Sequence, residues 1–190
     1  MAIRTIIYAN DPRLRGKAKR VRQFGSALRT LADDMLETMR AAHGLGLAAT
    51  QIGLLQRLFV AELPKDEDDP QSGKPFVLVN PEVVKISPSE VEGEEGCLSV
   101  PTWYGLVWRP EWAVVKAQDV NGKSICIKAE GLLARVFLHE MDHLNGTLFV
   151  DRVEGPDKLW QVKPEDVQAA PESQTTQESK VRADVVVAMA

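Results

Sequence analysis

The stretch Gly131-Leu132-Leu133-Ala134-Arg135-Val136-Phe137-Leu138-His139-Glu140-Met141-Asp142-His143 decides how the chain is read, because it sets two histidines four positions apart with a glutamate directly after the first. On a helix that spacing puts both imidazoles on one face. Two converging imidazoles can hold a divalent metal, and Glu140, about 100° round the helix, can take a proton from water activated there. The helix is predicted to start at Gly131 and end at Asn145-Gly146, with Leu132, Val136, His139 or Glu140, and His143 on one broad face. Apart from its chemistry it is largely apolar, so it is expected to be central and buried. The bare pattern also fits a chance occurrence on a surface helix, so the rest of the chain has to decide.

Working outward, 190 residues and 21.0 kDa are the size of one domain, long enough to bury about 70% of the surface of the unfolded chain. A formal net charge of -4 argues against general nucleic-acid affinity. No window approaches about 18 consecutive apolar residues, so no membrane-spanning helix is expected. Cys97 and Cys126 could pair, but the N-terminus carries no apolar run of the secretory type, and a reducing, cytoplasmic setting is expected.

Taken in order, Ile3 to Ala9 predicts a short strand ending at Asn10-Asp11-Pro12. The basic segment Arg13 to Arg22 lacks interleaved aromatic residues and reads as an arm packed along the domain rather than a nucleic-acid patch. From Ser26 as N-cap, Leu28, Leu31, Met35 and Met39 recur at helical spacing with charges on the other faces, predicting an N-terminal amphipathic helix that Gly44 terminates. Gly44 to Gly53 is dense in small residues. It reads either as a tight helix-to-strand corner or as a wall for an extended ligand, with Gln51 as a directed polar group. Strands are predicted over 57–63, 76–79 and 81–86, with a solvated acidic loop over 64–74. The strongest hairpin signal joins 112–118 to 124–129 across Asn121-Gly122, with Cys126 inside it as a small core or sheet residue. A last short strand is predicted over 147–150. Domain organisation is thus a catalytic unit over 1–155 and a flexible tail over 156–190, rich in Gln, Ser, Thr and Glu.

A catalytic metal needs a third protein ligand. Upstream, Cys97 stands beside Gly96 at a strand edge and offers a thiolate, the stronger ligand. Downstream, Glu154 or Glu165 would complete a protease-like set. Cys97 is the better candidate on these grounds, and the carboxylates remain as the alternative.

Three stretches in this order, Gly44-Leu45-Gly46-Leu47-Ala48-Ala49-Thr50-Gln51, Glu95-Gly96-Cys97-Leu98-Ser99 and His139-Glu140-Met141-Asp142-His143, resemble the peptide deformylase family, and the similarity runs from about Ile3 to Val153. The resemblance implies an α+β fold with antiparallel β-sheets packed around a central HExxH helix. It implies removal of the formyl group from the N-terminal methionine of nascent chains. By matching positions, Cys97, His139 and His143 would hold the metal, usually Fe2+ in the family, with Zn2+, Ni2+ or Co2+ as alternatives. Glu140 would be acid and base, and the Gln51 amide and Leu98 N–H would stabilise the oxyanion. Leu45, Gly46, Glu95 and Gly96 would flank the peptide, with Val136 near a pocket for its methionine. Transient ribosome contact is a further implied partner, and a metalloprotease or other amide hydrolase is the rival reading. Trp103-Tyr104 and Leu138 stand where relatives often carry a polar and basic pair and a glutamine.

Overall fold

The computed structural model describes residues 2–163. Its α+β architecture has two antiparallel sheets and, among the described residues, two α-helices. In chain order these are α1 (Ser26–Ala41), β1 (Gly46–Ala48), β2 (Leu58–Ala61), β3 (Phe76–Ile86), β4 (Glu90–Cys97), β5 (Val100–Pro110), β6 (Trp112–Gln118), β7 (Ser124–Glu130), α2 (Gly131–Asn145) and β8 (Leu159–Gln161). One sheet has the order β1-β2-β3-β6-β7, and the other has the order β4-β5-β8.

The strand β2 explains how one sheet serves two helices. Leu58 and Val60 pack with Leu28, Leu31, Met35 and Met39 of α1, whereas Phe59 and Ala61 pack with Leu133, Val136, Phe137 and Met141 of α2. Alternate residues on a strand face opposite ways, so a strand covered on both sides is apolar throughout. All four residues of β2 are buried. The Phe137 ring meets Phe59 and Phe76 edge-on at centroid distances of 5.3 and 5.5 Å, which locks α2 onto the sheet. A smaller cluster of Cys97, Val107 and Phe149 joins the second sheet to the segment after α2.

Several local expectations are corrected. Residues 3–9 form no strand, because their N–H groups find single partners instead of a ladder: Arg4 donates to Thr38 Oγ1 (2.9 Å), Ile7 to the Gln51 carbonyl (2.8 Å) and Ala9 to the Ser99 carbonyl (2.8 Å). Gly25, not Ser26, is the N-cap of α1, with no side-chain cap. The left-handed residue after α1 is His43 (φ 56°), and the Gly44 N–H closes on the Met39 carbonyl at 2.9 Å. The strands expected over 76–79 and 81–86 are one strand, β3, whose register breaks around Asn80. Asn80 adopts φ 53°, a conformation that asparagine tolerates, and its side chain bonds the Val21 backbone and Gln118.

Further along, β6 and β7 pair across Asn121-Gly122 as expected. Cys126 on β7 is exposed rather than in the core, and Leu132 is also exposed, so Leu133 takes its place on the core face of α2. The strand expected over 147–150 is a 3-10 turn, Phe149–Asp151, fixed by the Leu148 N–H donating to Asp151 Oδ2 at 2.8 Å. The segment expected to be tail from 156 onward opens with a 3-10 turn, Pro156–Lys158, and with β8, which pairs with Trp103–Gly105. Residues 164–190, where the rest of that expectation falls, lie outside the described residues.

Candidate metal centre

Two elements bring the three candidate ligands together. His139 and His143 lie one turn apart on α2, and Cys97 is the last residue of β4. His143 Nε2 stands 3.2 Å from His139 Nε2 and 3.2 Å from Cys97 Sγ, and the three ligand atoms lie within 4.8 Å of one another. All three residues are buried. Nitrogens about 2.0–2.1 Å and a sulfur about 2.3 Å from a tetrahedral ion stand about 3.3–3.6 Å apart, and the two 3.2 Å separations from His143 come close to that. Glu154 does not join them: its side chain is 64% exposed and pairs with Lys158. Glu165 lies outside the described residues.

Glu140 adjoins this group. It is fully buried, and beyond the Ala48 N–H, which Gln51 Oε1 takes at 2.7 Å, its carboxylate is short of donors, which is costly unless a further group completes the site. Burial, followed by the Glu95 carboxylate, pushes its carboxyl well above the usual range. Burial likewise pushes the Cys97 thiol up. A divalent cation reverses that logic, because a coordinating thiol is deprotonated outright. The donor-poor carboxylate and the ligand set therefore fit a metal.

The segment around β1 closes over Glu140. A Cβ on Gly46 would fall 2.5 Å from Glu140 Oε1, so only glycine permits this approach. Gln51, in the 3-10 turn Ala49–Ile52, is fully buried. Its Oε1 accepts the Ala48 N–H at 2.7 Å, and its Nε2 faces Cys97 Sγ (3.7 Å) and Ser99 Oγ (3.4 Å). Leu98 is half-buried and packs against the α1 core. A Cβ on Gly96 would meet the Tyr104 ring at 2.7 Å, so the buried Tyr104 lies over that glycine. Trp103 is partly exposed, and Leu138 packs half-buried against the α2 core. Leu45 and Val136 are buried in that same core and present no open surface.

The Glu95 side chain turns away from the strand edge. Its carboxylate is fully buried and faces inward, accepting His139 Nδ1 at 2.8 Å and Arg109 Nε and Nη2 at 2.8 and 2.9 Å. Any contact with substrate falls to its backbone. The proton shared with Glu95 sits on Nδ1 and leaves the His139 Nε2 lone pair for a metal, the usual arrangement of a ligating imidazole. Arg109, Arg135, Asp142 and Ser99 are the residues that motif reading missed. A signal existed for two of them: Arg135 and Asp142 are charges on an apolar helix, and buried charges require partners.

Burial alone would raise the Glu95 carboxyl, but the Arg109 guanidinium and the His139 imidazole outweigh it and hold the group well below the usual range. A carboxyl depressed on folding contributes stability that is full above its unfolded pKa of about 4.3 and is lost as pH falls toward the folded value. The urea midpoint is therefore expected to drop as pH falls below about 4. Glu95→Gln is expected to be less stable at neutral pH and flatter across that acid range. An unchanged acid slope in the variant would assign the loss to another group.

Comparison with known proteins places these features. The family model described as Polypeptide deformylase matches residues 3–159. The peptide deformylase of Thermomicrobium roseum is 50% identical over 173 residues, covering 90% of this chain and 97% of its own length. The crystal structure of a Legionella pneumophila peptide deformylase is 49% identical with a TM-score of 0.74, covering 82% of this chain and 88% of the other. That of the Ehrlichia chaffeensis enzyme in complex with actinonin is 41% identical with a TM-score of 0.77, covering 81% and 90%.

Proposed function

Because the chain belongs to the polypeptide deformylase family, we propose that Cys97, His139 and His143 hold its metal, with Fe2+ as the ion, and that Glu140 is its acid and base. As a peptide deformylase it is a metal-dependent hydrolase that removes the formyl group from N-terminal methionine. The observation that carries the site assignment is the convergence of three ligand atoms beside a buried Glu140 carboxylate that is short of hydrogen-bond donors.

When bound, the metal would lower the pKa of a water and polarise the formyl oxygen. Glu140 takes a proton at a carboxylate oxygen as water attacks the formyl carbon, then returns it to the departing amine. Its low-dielectric surroundings favour the proton-carrying form midway through that exchange. Gln51 Nε2 is held by the Ala48 contact at Oε1 and donates to the oxygen on which negative charge grows, together with the Leu98 N–H. Each donor of this kind is worth about 2.7–4 kcal/mol of barrier.

Substrate binding is read from the strands that end each sheet. β1 ends the five-stranded sheet and β4 ends the three-stranded one. An extended peptide can add along Leu45 and Gly46 on one side and Gly96 on the other, with its backbone supplying the hydrogen bonds. The methionine side chain would lie toward Leu98, which is half-buried, rather than toward Val136, which is sealed in the core. The α2 helix is the central scaffold in this reading. Nascent chains in the cytoplasm, met through transient ribosome contact, are the proposed source of substrate. Among the described residues no helix is long and apolar enough to cross a membrane.

A formyl carbon bears only hydrogen, and the close approach of Gly46 to Glu140 leaves little room for a methyl group. Protein purified without oxygen is expected to release formate from formyl-Met-Ala-Ser and leave acetyl-Met-Ala-Ser intact. Equal cleavage of both would point to a general amide hydrolase.

A further inference from the structure

The polar network behind His139 extends well beyond the metal ligands. Glu95 holds His139 Nδ1 at 2.8 Å, and Arg109 grips both oxygens of Glu95. The remaining guanidinium nitrogen, Arg109 Nη1, reaches Asp142 Oδ2 at 2.7 Å. Asp142 is then gripped at both oxygens by Arg152 Nε and Nη2. Every side chain in this series is buried except Arg152, which is 45% exposed just after the Phe149–Asp151 turn.

The order of the links matters. Two nitrogens of Arg109 are committed to Glu95, so Asp142 is the third point that fixes the plane of its guanidinium. Asp142 precedes His143 directly on α2, and its side chain takes its hydrogen bonds from Arg109 and Arg152. Without Arg152, Asp142 Oδ1 would be a buried acceptor lacking a donor, and the carboxylate would gain by turning toward water. Arg109 would then lose its third anchor. Glu95 would keep a second partner in Arg135 Nη1 at 3.1 Å, but that guanidinium is committed to the Val91 and Val107 carbonyls and cannot follow Glu95.

We propose that Arg152 is a positioning residue for the metal centre, fixing the His139 ring through Asp142, Arg109 and Glu95. The proposal rests on the reading that Cys97, His139 and His143 hold the metal. Partners behind a ligating histidine set its ring orientation, and losing them typically costs about 10–100-fold in metal affinity or activity. An exposed guanidinium four links away is expected to act at the low end of that range.

The test uses cobalt-loaded full-length protein and reads its visible absorption, the rate of cobalt release to a chelator, and kcat and KM on a formyl peptide. Arg152→Gln is expected to shift the cobalt bands, speed release about tenfold and lower kcat with little change in KM. Arg152→Lys should recover part of each change. Arg15→Gln is the control, since it breaks the neighbouring Arg15–Asp151 pair beside the same turn without touching the series. An unchanged spectrum and release rate in Arg152→Gln would overturn the proposal, even if thermal stability falls. Equal changes in Arg15→Gln and Arg152→Gln would also overturn it, because the effect would then be loosening of the turn. Failure of the unsubstituted protein to take up cobalt would instead sink the metal assignment on which the proposal stands.

Discussion

Replacing Glu140 by Gln is expected to leave the metal bound while slowing formate release by about 10²–10⁴-fold, the range that a positioned acid and base contributes. The substitution keeps the size of a side chain packed under Gly46, where a Cβ would already fall 2.5 Å from Glu140 Oε1. It removes a group able to accept and return a proton. Metal content by elemental analysis should match the unsubstituted protein, because Glu140 is not among the three converging ligand atoms. Loss of metal together with turnover would make Glu140 a ligand and leave the proton transfer to another group.

The second large effect is expected at Cys97. Cys97→Ala removes one of the three proposed ligands and should reduce both metal affinity and turnover by more than about 100-fold, beyond the usual effect of losing an outer partner. Packing should tolerate the change, since alanine keeps the Cβ in the small cluster with Val107 and Phe149. Far-ultraviolet circular dichroism separates loss of metal from loss of fold. Retained metal and activity would move the third ligand elsewhere and favour a protease-like site. Among the described residues the geometry speaks against that outcome, with Glu154 drawn away to Lys158.

The site was largely legible where its chemistry is carried by short spacings. The histidines of α2 are four apart, which fixes them on one face of any helix they occupy. Cys97 could be preferred over the downstream carboxylates because a thiolate beside a glycine at a strand edge has little use in a core. Its meeting with α2 could not be read, since forty-two positions separate Cys97 from His139. Glu95 shows the same limit more sharply. The family resemblance set it beside the peptide, and its carboxylate belongs to Arg109, His139 and Arg135. Which of its neighbours a buried charge chooses depends on three segments arriving together.

Fold elements divide along the same line. The α1 and α2 helices and the β6–β7 hairpin follow from apolar period and from Asn121-Gly122, all of which act within a few residues. Residues 3–9 and 147–150 had strand-like composition and formed no strands, because no neighbouring strand offered them a ladder. β8 lay in what read as tail and became a strand because the exposed edge of β5 received it.

By itself, then, the sequence determined the two helices and the four-residue spacing of the α2 histidines, and it made Cys97 and Glu140 the candidates for third ligand and proton carrier. Those depend on side-chain type and short-range geometry, which the covalent chain imposes. Only the tertiary structure decided that Gly46 must be glycine because Glu140 lies against it, that Gln51 faces Cys97, and that the Glu95 carboxylate meets His139. Each of these is a contact between segments distant in the chain, and desolvation on folding makes a buried polar group take whichever partner packing brings within reach.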